Sequence, residues 1–199
     1  MMRRTKTETS TPDTARRIMD VAERLAQTNG FNGFSYADVA SEVGITKASL
    51  HYHFPTKAEL GRRLVARYSS VFATALAQID AERASPAKKL QRYARLYADV
   101  LRGKRMCLCG MLAAEIATLP QSVQAALRAF FDANEKWLAR VLADGRKRRE
   151  LTFAGAPLGE ARMLLGAIEG AMLVAHFYDD VRRFTAATRR LLAELERQR

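Results

Sequence analysis

Three groups of residues could do chemistry. The first is a run of hydrogen-bond donors, Lys47-Ala48-Ser49-Leu50-His51-Tyr52-His53. If the run is one short helix, Leu50 faces inward while Lys47, Ala48, Ser49, His51 and Tyr52 face outward. Lysine donates to guanine O6 and N7, and small neighbours permit close approach, so this surface suits the major groove of DNA. The second group is the thiol pair Cys107 and Cys109. Lys104, Arg105 and a nearby helix start would lower the Cys107 pKa and favour a thiolate sensor; two buried small apolar residues are the plainer alternative. The third group is scattered: His51, His53, His176 and carboxylates spread over helix faces. A structural zinc needs four ligands, so no metal is expected. No Gly-rich phosphate loop, G-x-S-x-G or H-E-x-x-H is present, so neither a cofactor nor an enzyme is expected.

The donor run must be held by its neighbours. Ser35 precedes Tyr36–Val43 and can cap that short helix, with Asp38 three residues on. Gly44 ends it, Ile45 packs beneath the turn, and Thr46 caps the donor helix. Phe54-Pro55 closes the segment, because Pro disfavours helix in the residue before it. Thr56-Lys57-Ala58-Glu59 is a capping box for a long helix running to about Ile79. Two short helices joined by a Gly turn are a helix-turn-helix pattern. The helix starts at Ser35 and Lys57 would offer backbone N–H groups to phosphates.

The remainder also reads as helix. Ile18, Val21, Ala22, Leu25 and Ala26 form a core-facing stripe from about Asp13 to Asn29-Gly30. Later helices are expected from Ser85-Pro86 to about Leu101, over Cys107 to Thr118, and from Pro120 or Gln121 to Asp144. Two more run over Leu158–Tyr178 and Val181–Arg197, and residues 145–150 form a charged turn. The fold class is all-α, with about nine helices. Residues 1–12 are expected to be a flexible basic arm.

The chain has 199 residues, 48% of them hydrophobic and 27% charged, enough for a packed core without staples. Its formal charge is +12, which favours a polyanionic partner. The surplus does not sit on the donor run: residues 1–56 carry seven basic and six acidic side chains. No apolar run is long enough to span a membrane and no h-region follows the basic start, so a cytoplasmic protein is expected.

Residues 14–60 resemble the DNA-binding domain of the TetR family of transcriptional regulators. The resemblance rests on the stretch from Gly33-Phe34-Ser35-Tyr36 through Ala40, Gly44, His53-Phe54 and Lys57-Ala58-Glu59-Leu60. Two positions depart from the family pattern: His51 stands where Tyr is usual, and Ala58 separates Lys57 from Glu59. The resemblance implies phosphate contacts from Ser35, Tyr36, His53 and Lys57. It implies base-edge contacts from Lys47, Ala48 and His51, with Ser49 and Tyr52 near the backbone. It further implies a reading unit over 13–56, a linking helix over 57–80, and a ligand-binding and dimerisation domain over 81–199.

A palindromic operator is read by a dimer. The expected interface is the last helix pair, with Gly166, Gly170, Leu173, Phe177, Phe184 and Leu191. Candidate linings of an effector pocket are Tyr68, Phe72, Tyr97, Cys107, Met111, Phe131, Trp137 and Met172; core packing competes at each. The expected partners are therefore double-stranded DNA, a second copy of the chain and a small-molecule effector, with no membrane. The expected function is a homodimeric regulator, a repressor released by its effector. Alternatives are thiol sensing through Cys107 and sequence-nonspecific nucleic-acid binding.

Overall fold

Short polar caps set where each helix begins. The computed structural model describes residues 11–196, so residues 1–10 of the expected arm lie outside the described residues. Thr11 and Pro12 are not arm but the opening turn of α1 (Thr11–Asn29), where a proline's missing N–H costs nothing. α2 (Tyr36–Val43) starts with a complete capping box between Ser35 and Asp38. It ends at Gly44, whose φ of 75° is left-handed and whose N–H bonds the Ala40 and Ser41 carbonyls. Thr46 caps α3 (Lys47–His53) by accepting from the Ser49 N–H at 3.1 Å. α4 (Lys57–Ala81) follows, and here the expected capping box is only half made. Thr56 accepts from the Glu59 N–H, but the Glu59 carboxylate is bonded by Arg62 and Arg63 instead.

α5 spans Pro86–Arg102 and α6 Leu108–Ala113. The helix expected over Cys107 to Thr118 is thus broken. Cys107 is its cap, and a separate 3-10 turn covers Ile116–Thr118. α7 (Gln121–Lys147) runs past the expected stop at Asp144. Gly145 lies within the helix with Leu151 folded back over it: a Cβ there would stand 2.4 Å from Leu151 Cδ1. α8 (Pro157–Phe177) and α9 (Val181–Leu195) complete nine α-helices among the described residues. The Thr152 N–H donates to the Leu195 carbonyl at 2.7 Å, tying the α7–α8 connection to the end of α9.

One apolar core runs the length of the chain. Near the N-terminus it contains Ile18, Ala22, Ala26, Phe34, Val39, Leu50, Phe54 and Leu64; Val21 and Leu25 of the expected stripe are half-buried at its edge. α4 joins this region to the helices beyond. Near its middle Arg67 pairs with Asp20 and Glu23 of α1. Near its end Asp80 accepts from Lys89, Trp137 and Arg140 on α5 and α7. Burial opposes ionisation of Asp80, but the Lys89 and Trp137 hydrogen bonds outweigh it and lower its pKa. None of the described helices is long and apolar enough to cross a membrane.

Candidate DNA interface and effector cleft

The donor run is a helix, and its outward face is the one expected. Leu50 is fully buried while Lys47, Ala48, His51 and Tyr52 are exposed, Tyr52 to 77%. Ser49 and His53 are half-buried at its flanks. His51 lies against Tyr36 with ring centroids 4.8 Å apart, and its Nδ1 is 3.2 Å from the Pro55 carbonyl. An imidazole in place of the longer phenol at this position is therefore held close to the protein.

Three of the four expected phosphate ligands have partners inside the chain. The Tyr36 hydroxyl donates to the Phe54 carbonyl at 2.8 Å, and burial pushes its pKa up to about 12. The Lys57 ammonium donates to the Phe34 carbonyl and lies over the Phe31 and Phe34 rings. Burial lowers its pKa, opposed by the charges of Glu115 and Asp38. The Ser35 N–H and hydroxyl both bond the Asp38 carboxylate, at 2.7 and 2.8 Å. Tyr36 and Lys57 thus pin the ends of α2, α3 and α4 together. A conjugate of donor type and helix start marks both residues in sequence, but which partner the donor meets depends on the packed loop at 31–34.

The expected effector residues divide sharply. Tyr68, Phe72, Tyr97 and Trp137 belong to a ring cluster with Tyr93 and Phe130. Phe72 meets Tyr97 at 5.7 Å and Phe130 at 5.4 Å, both edge-on, and Tyr93 stacks on Trp137 at 5.5 Å. These rings fill the core with one another, as edge-to-face quadrupoles favour. Met172 and Cys107 are fully buried too. Only Met111 and Phe131 of the expected set line a cleft, of about 420 Å³, between α6, α7 and α8. Its other walls include Met106, Leu165, Leu173 and Glu169, whose carboxylate oxygens are buried behind them. In sequence Glu169 is one of four polar interruptions, with Glu160, Arg162 and His176, of a helix of small apolar residues. A larger trough of about 550 Å³ lies between α5 and α9, edged by Arg95, Arg102 and Arg189. It has no buried polar group awaiting a partner, so the smaller cleft is the better candidate.

Of the expected activators of Cys107 the helix start is present, since Cys107 caps α6, but the two cations are turned away. Lys104 pairs with Asp179 at the surface, and Arg105 reaches Gln27. Cys107 is fully buried, its sulfur accepting from the Gly110 N–H at 3.4 Å. Burial, and after it the charge of Glu169, push the thiol pKa well up. A buried thiol beside a carboxylate is a poor thiolate.

The expected interface residues also divide. A Cβ added at Gly166 or Gly170 would meet nothing within 4 Å, and Leu173 and Phe177 are 58% and 80% exposed. With Met163 and Val174 they form one open apolar face on α8. Phe184 is a correction: it is buried in the chain's own core with Leu192 and Leu195, and Leu191 packs against that core. The apolar stripe of α9 is consumed internally, because α9 lies on α5 and α8.

A capped helix-turn-helix, a linking helix and a helical body with an apolar cleft together define a DNA-binding transcriptional regulator. Comparison with known proteins agrees. Residues 18–64 match the family model described as bacterial regulatory proteins, tetR family. A TetR-family transcriptional regulator of known structure from Agrobacterium tumefaciens is 32% identical, with a TM-score of 0.91, over 94% of this chain and 100% of that one. A TetR regulator from Legionella pneumophila is 28% identical, with a TM-score of 0.84, over 96% of this chain and 100% of that one. The Escherichia coli (strain K12) HTH-type transcriptional repressor NemR is 24% identical over 169 residues, 82% of this chain and 84% of its own. The chain belongs to the TetR family of transcriptional regulators.

Proposed function

We propose that the protein is a homodimeric repressor that a small molecule releases from a palindromic operator. The observation that carries the DNA assignment is the outward face of α3, with Lys47, Ala48, His51 and Tyr52 exposed on a helix anchored by Leu50. Residues 13–56 read DNA, 57–80 link, and 81–199 dimerise and bind the effector. Lys47 reads a base edge, Ala48 allows approach, and Ser49, His51, Tyr52 and His53 meet base edges or phosphates beside it. Ser35 lies at the phosphate side of α2, while Tyr36 and Lys57 act by holding the three helices in register. Repression accords with the name of the relative NemR.

The open α8 face supports the dimer. Its apolar side chains are numerous and its glycines leave room for a partner backbone, whereas the rest of α8 is used internally. Two routes support coupling to the reading head. One is α4. The other is the α6 segment: the Met106 N–H donates to the Gln27 carbonyl at 3.1 Å, and the Gln27 amide donates to the Met106 carbonyl at 3.0 Å. At the far end, Asn32 donates twice to the Glu115 carboxylate, at 2.9 and 2.7 Å. A ligand releases DNA only if it favours the arrangement in which the two heads no longer match the operator.

The test is binding to DNA upstream of the protein's own gene, by anisotropy with excess unrelated duplex. Competition-resistant binding by a pair of protomers is expected. Lys47→Ala should relax discrimination at one base pair by about 1–3 kcal/mol. Unchanged discrimination removes Lys47 from base readout, and binding erased by unrelated duplex favours nonspecific nucleic-acid binding.

A further inference from the structure

Glu169 is a buried ionisable group that DNA reading leaves unused. Both carboxylate oxygens are buried, and neither has a hydrogen-bond partner among the described residues. Its neighbours do not satisfy it. The Cys107 sulfur accepts from the Gly110 N–H, and its thiol, the neighbouring weak donor, only partly offsets the burial of Glu169. Arg162, the cation at the cleft, is bonded to Glu135 at 3.0 Å. The carboxylate is packed against the backbone of Gly110, where a Cβ would stand 2.3 Å from Glu169 Oε2. Around it the walls are apolar: Met106, Met111, Phe131 and Leu165, with Gly166, Gly170 and Leu173 shared between the cleft and the open α8 face.

Leaving a carboxylate buried and unpaired is costly, and the cost is removed by a partner that both donates hydrogen bonds and carries positive charge. A neutral apolar ligand would leave the carboxylate unpaired. An anion would meet like charge in a low dielectric. We propose that this cleft binds a compact organic ammonium, an amine on a small apolar body, whose N–H groups donate to Glu169 while the body packs against Met111, Phe131 and Leu165. The proposal names the chemical class of the effector and rests on the effector role proposed above only for its consequence at DNA; binding itself does not depend on it.

The experiment is calorimetric titration of the full chain with benzylammonium and phenethylammonium. 2-Phenylethanol and phenylacetate serve as the neutral and anionic forms of the same body. The titration is done at pH 8, above the Glu169 midpoint that burial raises to about 7. At least one ammonium is expected to bind tenfold or more tightly than its neutral and anionic counterparts. Glu169→Gln should remove that preference, and Met111→Trp, which fills the cleft from its side, should abolish binding with Glu169 intact. Equal binding of the three forms, no ammonium binding, or an unchanged preference in Glu169→Gln overturns the proposal. The same titration with operator DNA present separates the two claims. Ammonium binding that leaves DNA affinity unchanged supports the site and ends its effector role. Release of DNA by an ammonium independently of Glu169 overturns the site.

Discussion

At Glu169 the cost of burial becomes a pH dependence. Burial raises its pKa to about 7, and the nearby Cys107 only partly offsets this. The folded state therefore binds a proton that the unfolded state has released above the ordinary Glu value of about 4.3. Stability attached to this proton is fully present below that value and is lost as pH rises through about 7. A shift of this size corresponds to roughly 3 kcal/mol. Glu169→Gln should flatten the fall in stability between about pH 4.5 and 8 and raise the melting temperature at pH 8; chemical denaturation at a series of pH values measures it. An identical slope in the variant would place the titration elsewhere. Lys57 teaches the complementary lesson. Its donor and its helix start suggest a phosphate contact, yet its ammonium is engaged by Phe34 and two rings. Lys57→Ala should cost about 1–2 kcal/mol of stability through lost hydrogen bonding and cation–π contact. The salt slope of DNA binding should change by less than one ion, a point that anisotropy at several salt concentrations decides.

Among the elements, α6 and the loop after α1 form the tie between cleft and reading head. Gly30 has φ 82°, and a Cβ there would stand 1.9 Å from Glu115 Oε1, so this loop tolerates only glycine against the Glu115 clamp. Asn32→Ala removes the side-chain amide that donates to both Glu115 and Thr118. The backbone N–H of Asn32 remains, so the head should stay folded. The expected outcome is little change in operator affinity without ligand, but a smaller ligand-induced drop, read by anisotropy with and without effector. An undiminished drop would assign the coupling to α4 alone. The helix ends that sequence located well, at Ser35, Gly44, Thr46 and Ser85, are those where a local side chain or a left-handed residue satisfies the backbone. The misplaced ends, at Asp144 and after Ala113, carry no polar cap or left-handed residue of the usual kind: Leu151 folds over Gly145 in one case, and a 3-10 turn follows α6 in the other.

On the scale of the whole molecule, the open α8 face leaves Met163, Leu173, Val174 and Phe177 exposed together. Phe177→Asp would place a charge where a partner helix is expected. Sedimentation should show the variant as a monomer, with operator affinity at least tenfold weaker because one head loses its tethered twin. A Phe177→Asp dimer would move the interface away from α8. The sequence by itself determined the all-helical class, the helix-turn-helix and its outward donors, because caps, turns and period-3.6 stripes are local and short in range. It also carried the small-residue face of α8. Only the tertiary structure decided which donors are spent internally, which aromatic rings pack on each other, that Phe184 faces inward, and that Glu169 lines a cleft. Many of those outcomes depend on partners brought from another helix, as for Trp137 meeting Asp80 across 57 residues, or Asn32 meeting Glu115 across 83. Spacing within one helix carries no record of what the opposite helix brings.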